Sequence, residues 1–172
     1  MTTETNEPVC VRALAPDEVP ALIELARTIW HAHYPGIISV AQIEYMLDQR
    51  YRPEVIRSEL ERSDTWWELA RIGGLPVGFS SSLLTAEPGE MKLDKLYVHP
   101  QHQGAGVGGK LLQSVAARAR SLQCTRLVLA VNKRNTQAIA AYRKWGFRIE
   151  QSKVTDIGGG FVMDDYIMVL EP

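Results

Sequence analysis

Tyr97-Val-His-Pro-Gln-His-Gln-Gly-Ala-Gly-Val-Gly-Gly-Lys110 joins a run that reads as a strand to a run that reads as a helix. Glu90 to Val98 has strand character and stops abruptly at His99-Pro100, where proline disfavours continuation. Beyond the glycines, Leu111, Leu112, Val115, Ala116, Ala119 and Leu122 recur at helical spacing. The first amides of such a helix lack partners within it, and the helix dipole places partial positive charge there. Glycines carry no side chain to hold an anion away, so the stretch predicts a phosphate site. A tight turn would also use glycines, but four of them in the six residues 104–109 favour a site over a turn.

Several phosphate-binding patterns overlap on these residues. Gly104, Gly106 and Gly109 satisfy the dinucleotide pattern GxGxxG, yet that pattern wants a turn directly after its strand and an acidic residue about 20 positions on. Here five residues follow Val98 before the first glycine, and the next strand ends in Asn132-Lys133. Gly104 to Lys110 also fits GxxxxGK, but Leu111 stands where a hydroxyl would hold magnesium.

Outward from the loop, the chain reads as one mixed α/β unit. Val9 to Arg12 is a first strand, and Pro16-Asp17 opens a helix with Val19, Leu22, Ile23, Ala26, Ile29 and Trp30 on one face. His31 to Ile38 reads as a loop. Ser39 with Gln42 is a capping-box pattern that starts a second helix through Val40, Ile43, Met46 and Leu47, and a short helical piece spans Pro53 to Glu61. Trp66 to Ile72 and Leu75 to Thr85 form a hairpin around Gly73-Gly74. Leu127 to Val131 is a buried strand, Asn135 to Lys144 a helix stopped at Gly146, and Phe147 to Thr155 pairs with Phe161 to Leu170. Met1 to Pro8 reads as a disordered tail, and residues 1–172 as a single domain.

Composition excludes other classes. The 172 residues are 45% hydrophobic and 23% charged, which is ordinary for a globular domain and excludes fibrous or disordered chains. A formal charge of -1 gives no bulk attraction to nucleic acid or an anionic membrane. No apolar run and no leader pattern appears, so a cytoplasmic protein is expected. Cys10 and Cys124 have no ligand or disulfide spacing and read as core thiols. His31 and His33 have no visible third ligand, so no metal is expected.

A third pattern on the loop, Gln103-x-x-Gly106-x-Gly108, combines with Asn135-Thr-Gln-Ala-Ile-Ala-Ala-Tyr142-Arg-Lys-Trp-Gly-Phe147 about thirty residues later. Together with Leu-Tyr-Val-His-Pro before the loop, the pair resembles the GCN5-related N-acetyltransferase (GNAT) family, over Trp66 to Leu170 well and Val9 to Glu61 in outline. The resemblance implies a mixed, mostly antiparallel twisted sheet of six to seven strands with about four helices, splayed where acetyl-CoA binds. It implies that amides of Gln103, Gly104, Ala105, Gly106, Val107 and Gly108 hold the pyrophosphate, with Lys110 adding charge. Leu96 and Val98 would pair with the pantetheine arm, and the Val98 amide would polarise the thioester carbonyl. Asn135 suits a helix N-cap, and the resemblance adds a pantetheine contact. Tyr142 lies on a stripe with Ala138 and Trp145 and could be a core aromatic; the resemblance makes it the proton donor to the leaving thiolate.

The acetyl acceptor implied is a primary amine attacking directly in a ternary complex. Some family members carry a basic glutamate on the strand before the loop, but Lys92 stands there, which leaves Glu90, Asp94 or a water chain as base. The acceptor walls offer Trp30, Tyr34 and Glu44 from the first two helices and their connecting loop, and Asp164 and Asp165 from the last hairpin, of which at most one aspartate faces the site. Acidic and aromatic groups suit a cationic amine. Residues 34–39 and 161–166 also resemble the branch with polyamine acetyltransferases, which implies a polyamine or other small cationic amine. Protein, peptide and amino-acid amines stay open, as does a non-catalytic acyl-CoA sensor, and exposed strand edges allow a homodimer.

Overall fold

The computed structural model describes residues 7–172, so the expected tail, Met1 to Pro8, lies outside the described residues except for Glu7 and Pro8. The described residues form seven strands, β1 (Cys10–Ala13), β2 (Thr65–Ile72), β3 (Leu75–Leu84), β4 (Glu90–Val98), β5 (Arg126–Asn132), β6 (Arg148–Gly158) and β7 (Phe161–Leu170). Five α-helices join them, one more than the resemblance implied: α1 (Val19–His33), α2 (Val40–Arg50), α3 (Pro53–Leu60), α4 (Val107–Ser121) and α5 (Thr136–Lys144). The single sheet runs β1-β2-β3-β4-β5-β7-β6, and every neighbouring pair is antiparallel except β4 and β5.

Each sheet face carries its own apolar layer. On one, Trp30 of α1, Ile43 of α2 and Ile56 of α3 pack on Trp67, Leu69 and Phe79. On the other, Leu112 and Val115 of α4 and Tyr142 of α5 pack on Met91, Leu127 and Met168. Fully burying each such side chain contributes about 1.5–3 kcal/mol, so the two layers hold the helices to the sheet. Gly78 lets α4 approach β3, since a Cβ there would stand 2.9 Å from the Tyr97 carbonyl oxygen and 3.0 Å from Val107 Cγ1.

Three local expectations change. Helix α1 runs on through His33 into the expected loop, because the Tyr34 amide still bonds the Trp30 carbonyl at 3.0 Å before Pro35. Ser39 Oγ accepts from the Gln42 amide at 3.1 Å, but Gln42 does not close the box; its Nε2 donates to the Val162 carbonyl at 3.0 Å and ties α2 to β7. Cys10 is exposed on β1 at the sheet edge, whereas Cys124 is buried, so only one is a core thiol. Among the described residues, no helix is long and apolar enough to cross a membrane.

Strand β4 is irregular in two places, and both shape the middle of the sheet. Ser81 pairs with Lys95 and Ser82 with Leu93, so Asp94 is an extra residue in a β-bulge. The parallel contact of β4 with β5 covers only Glu90, Met91 and Lys92 against Arg126, Leu127 and Val128, after which the strands part. The splayed sheet that the resemblance implied is present.

Candidate active site

A cleft of about 1100 Å³ runs through that fork, from the start of α4 to the space between α1–α2 and the β6–β7 hairpin. At its first mouth, Gly104 and Gly106 take φ of +82° and +81°, a region other residues enter only with strain. They turn the chain so that Gly106 becomes the N-cap of α4, with no side chain to cap it. The Lys110 amide makes the helix's first bond, to the Gly106 carbonyl at 3.1 Å. The amides of Val107, Gly108 and Gly109 therefore have no helical partner and stand on the cleft. Gly108 admits Trp145 beside the helix start, where a Cβ would stand 3.1 Å from the indole. Gln103 Oε1 accepts from Gln137 Nε2 at 3.3 Å, which ties the loop to α5. Ala105 and Lys110 are exposed and lie off the cleft wall, Lys110 Nζ reaching the Val9 carbonyl at 3.3 Å instead.

Strand β4 supplies the middle of the cleft. The His99 amide donates to the Val77 carbonyl at 2.8 Å, so odd-numbered residues here hydrogen-bond β3. By alternation, the backbone groups of Leu96 and Val98 face the gap, with no ladder partner there. Across it, Asn135 Oδ1 accepts from the Ala138 amide at 3.3 Å and from His33 Nε2 at 3.1 Å. Its oxygen can only accept, so His33 is the donor. The Tyr142 ring is wedged between Trp145 and Phe147, at 6.0 and 5.5 Å, and borders the cleft. Burial, with Tyr34 nearby, pushes its phenol well above the usual tyrosine value, so it stays protonated at neutral pH.

At the second mouth, Trp30, Tyr34 and Asp165 line the cleft, with the Tyr34 hydroxyl 2.8 Å from that of Tyr97. Asp165 is buried, its Oδ1 has no partner, and burial raises its carboxyl. Glu44 and Asp164 lie outside the cleft: Glu44 pairs with Arg27 and His31 on the outer face of α1 and α2, and Asp164 pairs with Lys133 at 2.8 Å. The period of two along β7 decides the second case, since only one of two adjacent aspartates can face the fork. His31 and His33 take different partners, Glu44 and Asn135, so the pair does not converge.

The two carboxylates considered as bases are both tied up. Glu90 accepts from Arg126 Nε at 3.1 Å and from Thr85 Oγ1 at 2.9 Å at the closed end of the fork. Asp94 forms ion pairs with Lys95 and with Lys92, the latter at 3.5 Å. Burial pushes the Asp94 carboxyl up, but the charges of Lys95, Arg50 and Lys92 outweigh it and hold the group well below the usual carboxylate range. The bulge turns Lys95 to the same side, where its ammonium sits 4.9 Å from the Trp67 ring and its side chain is 3% exposed. Asp94→Asn leaves that ammonium uncompensated, with an expected loss of about 3 kcal/mol at pH 7, at the low end for one half of a buried pair. A depressed carboxyl stabilises above its unfolded value, about 3.9, and that contribution fades as pH falls below it. Urea unfolding should thus show wild type losing stability below about pH 4 and a flatter acid limb for the variant; parallel curves would remove the pair from the balance.

The sequence reading missed Arg50, His33 and Tyr97, all on the cleft wall. For Arg50 a signal existed: it continues the buried stripe of Ile43, Met46 and Leu47 at helical spacing, an unusual place for a charge.

A mixed sheet forked between two parallel-started strands, with an open glycine-rich helix start on one side and a tyrosine beside the fork, is the architecture of an acetyltransferase. The family model described as "Acetyltransferase (GNAT) family" matches residues 22–147, and the chain belongs to that family of N-acetyltransferases. It is 28% identical to a spermidine N(1)-acetyltransferase of Thermoplasma acidophilum over 161 residues, 90% of this chain and 94% of the relative. It is 32% identical to the peptidyl-lysine N-acetyltransferase YjaB of Salmonella typhimurium over 123 residues, 70% of this chain and 77% of that one. Its fold is similar to the crystal structure of PaiA N-acetyltransferase from Thermoplasma acidophilum in complex with coenzyme A, with TM-score 0.84, 26% identity and coverage of 96% and 99% of the two chains.

Proposed function

We propose that the protein transfers the acetyl group of acetyl-CoA to a primary amine by direct attack within a ternary complex. The observation that carries this is the fork itself: β4 and β5 part after Lys92 and Val128, which leaves the Val98 backbone facing a gap walled by Tyr142. The unpartnered amides from Val107 to Gly109 suit the pyrophosphate of coenzyme A, and Leu96 and Val98 suit the amides of its pantetheine arm. That one relative is crystallised with coenzyme A supports the same co-substrate. Asn135, fixed by His33 and its own helix on the cleft wall, suits a contact to that arm.

An ammonium cannot attack, so its first proton must leave. Asp165 takes it, directly or through water, and passes it to solvent; its burial makes it a stronger base than an exposed carboxylate. The nitrogen lone pair then forms the C–N bond while the Val98 amide faces the oxygen that gains charge. The C–S bond breaks, Tyr142 protonates the departing sulfur, and one of the two protons left on the nitrogen returns to the tyrosinate while the other stays in the amide. One proton is released per turnover.

The named acceptors of the two relatives, a spermidine nitrogen and a lysine side chain, share a primary amine, which supports that class. A polyamine is one candidate, but of the acidic set expected for it only Asp165 faces the cleft. The test is release of CoA thiol from acetyl-CoA across polyamines, amino acids, lysine peptides and free N-terminal peptides. Release with at least one amine supports the reading; acetyl-CoA binding with silence across the panel defeats it. For Asp165→Asn, kcat/KM should fall, and the acid limb of the profile, which in wild type lies above the usual carboxylate range, should disappear. An unchanged acid limb would move the base elsewhere.

A further inference from the structure

The reaction gives no task to Arg50, a charged group of the cleft wall. Arg50, the last residue of α2, is half-buried on the cleft wall. Among the described residues its guanidinium makes no hydrogen bond and no ion pair, so its donors are unmatched. Its neighbours are Tyr34, Tyr51, Tyr97 and Asp94. Asp94 already holds Lys95 and Lys92, so three cations surround one carboxylate. Asp165 on β7 lines the same cleft, 8% exposed and with Oδ1 unpartnered. Arg50 and Asp165 feel each other's charge but do not meet within ion-pair distance.

Asp165 Oδ1 is buried without a partner, and the Arg50 guanidinium lines the same cleft with no protein partner among the described residues, so a ligand carrying both complements meets both. We propose that the acceptor is a small primary amine that also bears a carboxylate, its nitrogen end at Asp165 and its carboxylate on the planar fork of Arg50. This rests on the amine-acetylation reading above and narrows its acceptor. The guanidinium fork matches a carboxylate through two parallel N–H bonds, which a lysine in the same place would not do. A polyamine would bring further ammonium groups against Arg50 and Lys92, where like charges repel. An arginine that merely packed against the tyrosines would not discriminate between acceptors.

The test uses matched acceptors with wild-type enzyme and acetyl-CoA, read as CoA-thiol release. α-Amino acids and ω-amino acids of increasing length are each compared with their own carboxamides, and spermidine runs alongside; the two series separate the two sources of such a carboxylate. At least one carboxylate should exceed its carboxamide in kcat/KM by about 10- to 100-fold, the range of a charge-assisted bonded pair. Arg50→Gln should collapse that ratio toward one, chiefly through KM, and Arg50→Lys should keep part of it. Equal turnover of every matched pair, or a ratio that survives Arg50→Gln, overturns the proposal. If amines are acetylated without regard to a carboxylate, this inference fails and the acetyl-transfer reading stands. If no amine is acetylated, both fail. Should the Arg50 variants not fold, the wild-type ratio decides alone.

Discussion

Tyr142→Phe is expected to lower kcat by about 10²- to 10⁴-fold, the range for losing a positioned general acid, while acetyl-CoA affinity stays within a few-fold. The split follows from where the ring sits. The ring makes T-shaped contacts with Trp145 and Phe147, which phenylalanine preserves, so the fork and the α4 amides are not disturbed. Only the hydroxyl goes, and with it the proton for a sulfur that would otherwise leave as an anion in a buried cleft. Burial raises the phenol, which keeps the proton in place at neutral pH. Pre-steady-state measurement of thiol release at saturating acetyl-CoA checks this; an unchanged rate would falsify the donor role and assign the proton to water.

Gly106→Glu is expected to weaken acetyl-CoA binding by about 100-fold or more, equivalent to losing one or two charge-assisted bonds. Two effects act together. The residue holds φ of +81°, so any side chain there costs about 1–2 kcal/mol of backbone strain. Nothing lies within 4 Å of the new Cβ, so the side chain fits, but its carboxylate then competes for the free amides and repels phosphate. Gly106→Ala separates the two, since it carries the strain without the charge, and only a few-fold loss is expected. Calorimetric titration of acetyl-CoA reads both. Wild-type affinity in the glutamate variant would mean that the glycine loop is a turn and nothing more.

The reach of the sequence depends on which interactions are local. The glycine loop, the Asn135 cap and the stop at Gly146 depend on residues within a few positions, so each was legible. Strand β4 was bounded at Glu90 and Val98 because a proline comes directly after His99. The bulge at Asp94 was not, since nothing in Lys92-Leu-Asp-Lys95 says which residue β3 will skip. That skip gives Lys95 to Asp94 and so removes Asp94 from the candidate bases. Glu44 failed for a related reason: acidic and aromatic residues on α2 suggested a pocket, but the helix rotates to bury Ile43 and Leu47, and Glu44 goes to the outer face with Arg27.

Local order alone therefore determined the sequence of elements, the open glycine-rich start of α4 and the family, because caps, glycines and periodic apolar residues act over short distances. The tertiary structure decided which side chains line the second mouth of the cleft. It put Asp165 rather than Asp164 on the cleft, tied Glu90 to Arg126, and brought Arg50 onto the same cleft wall. These pairings join residues far apart in the chain, and they form only when two packed layers fix how α2, β4 and β7 approach one another.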